Sequence, residues 1–508
     1  MSTYGGSAIA FFFKENYNNE EYPFSPAFAG LMKKERLRMV FASPVFLFVF
    51  FPAVLLVYRL VPAKVRPYWL LLCSLFFYFW GEPVYVLLMI AAIVITWGTA
   101  MGVSALKEKK KDKAAIAVLT FGILLILSAL VYFKYFEFLA NTLKNLFHTR
   151  WRIKSVIMPI GISFYTFQAM SYLWDVHRGS VKVIRNPFKL GAYISMFPQL
   201  IAGPIVRASD ITQNLDAPQM TLESTWHGLI RLIRGLGKKV ILANALAEVI
   251  ENNIMLPADE CSAGLLWLIT LCYAFQIYFD FSGYSDMAIG MGEILGFRFP
   301  ENFRFPYTAV SVRDFWRRWH MTLSSWLRDY VYIPLGGNRK GAFRTYLNLL
   351  LVFLICGFWH GASWNFVLWG LWYGLWLIIE RIPPIQKLLK RIPKPVTWFF
   401  TMVIVLLGWV VFRNLKPDET MMFLRGMFGG NSYITLNALS ILSPKLIIIL
   451  LACLFLASPL AEMLLNRVER MKGTGVTVIR SVLALAVLAV CIILLMSDTY
   501  NPFIYFRF

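Results

Sequence analysis

The sequence predicts an all-α, polytopic integral membrane protein, and three observations carry that prediction. Of the 508 residues, 58% are hydrophobic and only 15% are charged, against about 25% charged in a soluble chain. The remaining polar groups cannot cover a water-exposed surface, so lipid must solvate much of the molecule. The apolar residues also gather into runs close to the ~20 residues that a helix needs to cross a bilayer. Finally, segments of strict apolar–polar alternation, which a membrane barrel requires, are absent. The 43 Phe and 17 Trp suit lipid-facing surfaces and interfacial belts.

Residues 1–38 stand apart from this pattern. They contain polar stretches such as KENYNNEEY, and Phe11, Phe12 and Phe13 form too short a run to span. They read as a cytoplasmic or disordered extension, without a secretory signal pattern. Met39 opens the first run, MVFASPVFLFVFFPAVLLVYRL. The next, residues 68–97, is interrupted at Gly81, Glu82 and Pro83, where a helix must break. Further runs cover residues 114–133, 156–173, 188–206, 262–281, 345–359, 362–379, 396–412, 446–465 and 476–496. Allowing for broken helices, roughly 10–12 passes are expected. Residues 226–248 mix apolar and basic side chains, as an interfacial helix or the lining of a polar cavity would. Residues 280–338 are rich in Arg, Trp, Tyr, Gly and Pro. Polar irregular backbone at membrane depth must be buried in protein or line a cavity, which marks this region as the functional core.

The formal charge of +22 arises from 50 basic and 28 acidic residues. The basic residues lie between apolar runs, as in KEKKKDK at 107–113, so the positive-inside rule explains them better than nucleic acid does. Membrane lipid is the expected surrounding partner, with an anionic lipid or substrate as a secondary reading. The six cysteines are scattered and no Cys/His ligand spacing occurs, so neither a disulfide framework nor a metal site is expected. Neither a phosphate-binding loop nor a dinucleotide fingerprint is present.

Histidine is scarce, and two of the five stand out. His360 ends the run LVFLICGFWH, where an ionisable group is costly and reads as functional by default. Gly357 and Gly361 flank it and leave room for a neighbouring backbone or a substrate. The bland alternative is a neutral imidazole bridging two helices. His320 lies in SVRDFWRRWHMTLSSWLRDY, which, if helical, sets Arg313, Arg317, His320 and Ser324 on one face. That segment reads equally well as an interfacial anchor. Asp314 is spaced to pair with Arg317 or Arg318. Asp280, Asp286 and Glu293 interrupt an apolar stretch, and ion pairs with the arginines of the following segment are the expected reading. YIPLGGNRKGAF reads as a turn with a basic lip at Arg339. Cys356, one turn before His360, is expected to be a small buried residue rather than a nucleophile. His148, His177 and His227 flank basic segments and look like loop or interface residues.

These residues bring out a family resemblance. From MVFASPVFLF onward the chain is similar to the membrane-bound O-acyltransferases, in particular to the bacterial branch with an alginate O-acetyltransferase membrane subunit and a D-alanyl-lipoteichoic acid transferase. The likeness runs through GISFYTFQAMSYLWDVHRG, MFPQLIAGPIVR, YFDFSGYSDMAIGMGEILGFRFPENFRFPY, FWRRWHMTLSSWLRDYVYIPLGGNR and GFWHGASWNFVLWG, and the final five residues also fit. It implies one transferase domain over 39–508, with the invariant histidine at His360 and the second conserved position at His320. His177 departs from the tyrosine expected there, in a peripheral loop. The implied architecture is a helical ring with re-entrant or interfacial helices around a thin central funnel, in a bacterial cytoplasmic membrane.

The chemistry implied is transfer of an acyl group, acetyl from acetyl-CoA, to a hydroxyl of an extracytoplasmic polysaccharide or partner protein, with no bound cofactor. Arg317, Arg318 and Arg339 would meet the donor's phosphates. His360 would be the general base, and His320 would polarise the thioester or orient the donor. D-Alanyl transfer to a wall polymer is the runner-up within the family. A transporter or flippase is the competing class, against which no convincing internal repeat is found.

Overall fold

The computed structural model describes residues 39–151, 153, 155–252, 258–414, 416–431, 437–470 and 474–497. The expected polar extension 1–38 and the five C-terminal family-like residues lie outside them. All that follows concerns the unit Val40–Phe508. The described chain is helical, without a strand.

Helix α1 (Phe46–Leu60) opens with a π turn, and Pro52, which has no N–H to donate, follows directly where the regular α-helix resumes. Helix α2 (Arg66–Gly81) stops at Glu82, and α3 (Val86–Glu108) starts beyond Pro83, so the chain breaks where Gly81 and Pro83 predicted. The basic loop leads into α4 (Asp112–Leu146), a long helix with a π turn at Val131–Tyr135.

The next two apolar runs do not become lipid-facing spans. Residues 156–173 give α5 (Ile162–Arg178), buried on almost every side. Residues 188–206 give α6 (Pro187–Ser195) and a single turn, Phe197–Leu200, because Pro198 cannot extend the preceding helix. Their apolarity answers to protein, not to lipid.

At the centre lies α8 (Ala263–Ile294). In its apolar window 78% is buried, against 6% for the peripheral α16 (Gly475–Ser497). Packed against α8 is α7 (Leu222–Gly237), the mixed apolar–basic segment. A Cβ on Gly228 would meet the carbonyl oxygen of Gly290 at 2.5 Å, and one on Gly235 that of Gly283 at 2.5 Å. The reciprocal contacts are 2.5 and 2.7 Å, so these two glycine pairs let the backbones touch.

Two short helices follow, α9 (Val312–Trp316) and α10 (Met321–Leu327). Then come α11 (Gly341–His360), α12 (Trp364–Ile379), α13 (Lys394–Arg413), α14 (Pro417–Met427) and α15 (Pro444–Leu456). Six described helices (α3, α4, α8, α11, α13 and α16) are long and apolar enough to cross a membrane. Three shorter apolar ones (α1, α12 and α15) accompany them. Leu56, Leu72, Phe76, Phe121, Leu124, Ile448 and Ile493 project outward and exposed, a surface that only lipid can solvate. The protein is a multi-pass, all-α membrane protein.

Candidate active site

His360 is the last residue of α11, and Gly361 leaves the helix in an extended conformation. A Cβ on Gly357 would strike the Phe366 carbonyl oxygen, and one on Gly361 the Phe366 ring. The space read from these glycines is therefore taken by the returning backbone of α12. That tight hairpin seats the imidazole, 4% exposed, among Trp359, Trp369 and Phe412, with ring centroids 4.9, 5.1 and 5.3 Å away.

His320 arrives by another route and overturns one expectation. Residues 313–324 do not form a continuous helix. Helix α9 ends at Trp316, the chain turns, and His320 sits in the left-handed region at φ 42° as the N-cap of α10. Arg313, Arg317, His320 and Ser324 therefore do not share a helical face. Backbone bonds to the preceding segment hold the break: Arg304 N–H donates to the Arg318 carbonyl and Met321 N–H to that of Asn302, both at 2.9 Å. A left-handed non-glycine residue is strained, and such strain gathers at functional sites.

Fully buried, His320 meets the Phe281 ring edge-on at 4.7 Å. Its Nδ1 lies 3.0 Å from Asn302 Oδ1. Asn302 is oriented in turn: its Nδ2 donates to Ser285 Oγ at 3.1 Å, and Thr322 Oγ1 donates to its Oδ1 at 2.9 Å. An amide oxygen only accepts, so Nδ1 of the neutral ring carries the proton and Nε2 is the basic nitrogen.

Trp359 neighbours both histidines. Its ring is 6.1 Å from His320 and 4.9 Å from His360, and Phe164 and Phe167 of α5 back it. Sequence reading missed two residues at this site. Asn302 sits in PENFRFPY without a distinguishing signal. Lys134 sits in ALVYFKYFEF, and its ammonium donates to the Trp359 carbonyl and to Ser163 Oγ. The rule that singled out His360, an ionisable group within an apolar helix, would have found it. Ending that apolar run at Phe133 hid it.

The carboxylates have partners other than those expected. Asp286 meets Arg231 at 3.0 Å, Lys238 at 2.7 Å and Arg234 at 3.5 Å, while Lys239 meets Asp280 at 2.7 Å. These cations belong to α7 and the π turn that follows it, not to the arginine-rich segment after α8, because the glycine pairs draw α7 against α8. Glu293 shares Arg231, at 3.9 Å.

Of the arginines read as donor contacts, Arg318 is committed to Asp314 at 2.9 Å, the pairing its spacing predicted. Arg317 and Arg339 are exposed. Arg339 lies just before α11, whose length separates it from His360 by about 28 Å. Asp329 takes Arg207 at 2.8 Å and Arg328 at 2.7 Å. Burial works against its charge, but those two guanidiniums outweigh burial and hold its carboxyl below the usual range. Cys356 is a buried free thiol one turn before His360.

Two buried histidines beside one indole bring two ionisable side chains together at the end of a helix hairpin. Known proteins decide between transfer and transport. A family model for the membrane-bound O-acyltransferases matches residues 180–415, the stretch holding both histidines and Asn302. A relative named "Probable alginate O-acetylase AlgI" from Pseudomonas putida is 39% identical over 491 residues, covering 92% of this chain and 100% of its own.

The chain belongs to the membrane-bound O-acyltransferase family.

A second "Probable alginate O-acetylase AlgI", from Azotobacter vinelandii, is 40% identical over 82% of this chain and 84% of its own. A "Peptidoglycan O-acetyltransferase" from Helicobacter pylori is 34% identical over 77% and 80%. As a membrane-bound O-acyltransferase the protein is an enzyme, and the transporter reading falls away. Lys134 lies outside the matched family segment.

Proposed function

We propose that this acyltransferase takes acetyl from acetyl-CoA and passes it to a hydroxyl of an extracytoplasmic polysaccharide or of a partner protein that serves one, in a bacterial cytoplasmic membrane. The observation that carries the reading is the pair of buried histidines, each beside Trp359. The relatives named for alginate and peptidoglycan O-acetylation favour acetyl and a glycan. Residues 39–508 are the transferase unit in this proposal, and 1–38 an extension to it.

The positive-inside rule sets the direction. The loop at 107–113 starts α4, and Lys134, which contacts the end of α11, lies about 33 Å further along it. Arg339 and Lys340 mark the other, basic end of α11. Donor phosphates would dock from that cytoplasmic end on Arg317 and Arg339, with Arg318 holding their loop through Asp314. The acceptor would come from the His360 end.

His360 acts as general base on the acceptor hydroxyl, whose oxygen attacks the thioester carbonyl carbon as the C–S bond breaks and the thiolate leaves with the proton. His320 has a specific geometry of its own. Its basic Nε2 suits accepting a hydrogen bond and orienting the acceptor, rather than polarising a carbonyl. General-base help is typically worth about 10²–10⁴ in rate. In membranes given labelled acetyl-CoA and acceptor, His360→Ala should abolish transfer while the protein stays inserted. Near-normal transfer would end the assignment, and label from a D-alanyl donor instead would move the enzyme to that chemistry.

A further inference from the structure

We propose that Lys134 and Tyr135 are positioning residues for acyl transfer, clamping the end of α11 so that Trp359 and His360 face the reaction. The inference rests on the reading of His360 as the base.

A helix leaves its last carbonyls without internal partners, and the end of α11 is closed by no Schellman turn, because Gly361 is extended. Consecutive side chains of α4 complete it instead. Tyr135 Oη–H donates to the Phe358 carbonyl at 3.0 Å, and the Lys134 ammonium donates to the Trp359 carbonyl. The Tyr135 ring stacks on that of Phe358 at 4.1 Å, and the ammonium lies 5.6 Å from the Trp359 ring centroid. A cation there also opposes the negative end of the helix dipole.

Neighbouring residues of a regular helix point about 100° apart, so two consecutive side chains do not ordinarily cap one helix end. Here they fall within the π turn Val131–Tyr135, whose extra residue re-phases the helix. Single π turns inside α-helices recur at functional sites. Lys134 also donates to Ser163 Oγ at 3.2 Å, near the start of α5, whose Phe164 and Phe167 back Trp359. One ammonium thus ties the end of α11 to the start of α5, around the indole that neighbours both histidines. An apolar side chain would fill this position inside an apolar helix at lower cost, so a cation here points to use beyond packing.

The test measures kcat and donor KM per inserted enzyme for Lys134→Met, Lys134→Arg and Tyr135→Phe, with His360→Ala alongside. Misplaced reacting groups cost about tenfold to a hundredfold, so Lys134→Met should lose that much kcat with donor KM nearly unchanged. Lys134→Arg should recover most of it. A purely structural lysine would lower the amount of inserted protein and leave kcat per enzyme intact, which would overturn the proposal. So would an arginine variant as slow as the methionine one. If Lys134→Met does not accumulate, Tyr135→Phe decides: reduced kcat at unchanged KM supports the clamp, and unchanged kcat overturns it. An active His360→Ala would sink the base assignment itself. An inactive one beside a normal Lys134→Met would sink the clamp alone.

Discussion

At the scale of single residues, the site is defined by how each histidine is held. His360 packs among aromatic rings, and His320 meets the Asn302 amide. Asn302 accepts from His320 Nδ1 and from Thr322, and its own Nδ2 is anchored on Ser285. Replacing it with leucine removes the acceptor that sets the tautomer. Asn302→Leu is therefore expected to lower kcat by about tenfold or more, with the protein still inserted, while Asn302→Asp, which keeps an acceptor oxygen, retains more activity. Equal rates for wild type and Asn302→Leu would show that His320 needs no fixed tautomer. His360 stood out as a candidate because a titratable group inside an apolar run is visible in one dimension. Asn302 was not, since asparagine in an irregular polar stretch looks like any turn residue. The backbone of His320 could not be foreseen either: its left-handed turn is imposed by hydrogen bonds to residues 302–304.

Among the elements, the α7–α8 pair organises everything around it. Gly228 with Gly290 and Gly235 with Gly283 leave no space for a side chain. Overpacking ordinarily costs about 1–3 kcal/mol and is worse against backbone, so Gly235→Leu should sharply reduce the inserted protein. Full accumulation by membrane fractionation would mean that the helices can separate. Beside these glycines, Asp286 neutralises a cluster of cations from α7 and its extension. Asp286→Ala takes the carboxylate from Lys238 and Arg234, while Arg231 keeps Glu301 at 2.6 Å. It should cost about 3–5 kcal/mol, read as a lower melting temperature in detergent, with kcat per folded enzyme changed far less. The role as a structural ion pair could be read from the sequence, but its partners could not. Spacing rules reach three or four residues along a helix, whereas Arg231 and Asp286 meet across 55.

For the whole molecule, the question is which end faces which side of the membrane. Lys111 lies in the basic loop before α4, and Lys416 lies just beyond α13, whose Phe412 packs on His360. All six native cysteines are buried, so single introduced thiols report cleanly. In intact spheroplasts an impermeant thiol reagent should label Lys416→Cys at once and Lys111→Cys only after lysis. The reverse pattern would invert the proposed paths of donor and acceptor, and labelling of both before lysis would refute the opposed ends.

The sequence by itself determined the solvent and therefore the fold class, because so few charged residues cannot clothe a water-soluble surface. It also determined the breaks at Gly81 and Pro83, which follow from local chemistry, and marked His360 as a candidate. Only tertiary structure decided which apolar runs meet lipid: α5 and α6 look like spans on composition yet lie inside the protein. It also decided that residues 313–324 break at His320 and that Asp286 turns to α7. Above all, it joined Lys134 to Trp359, 225 residues further along the chain. Hydrophobic burial is non-directional and tells a segment only that it must leave water. Which helix it then meets depends on interlocking surfaces, such as paired glycines and a π turn, that have no meaning until both partners are in place.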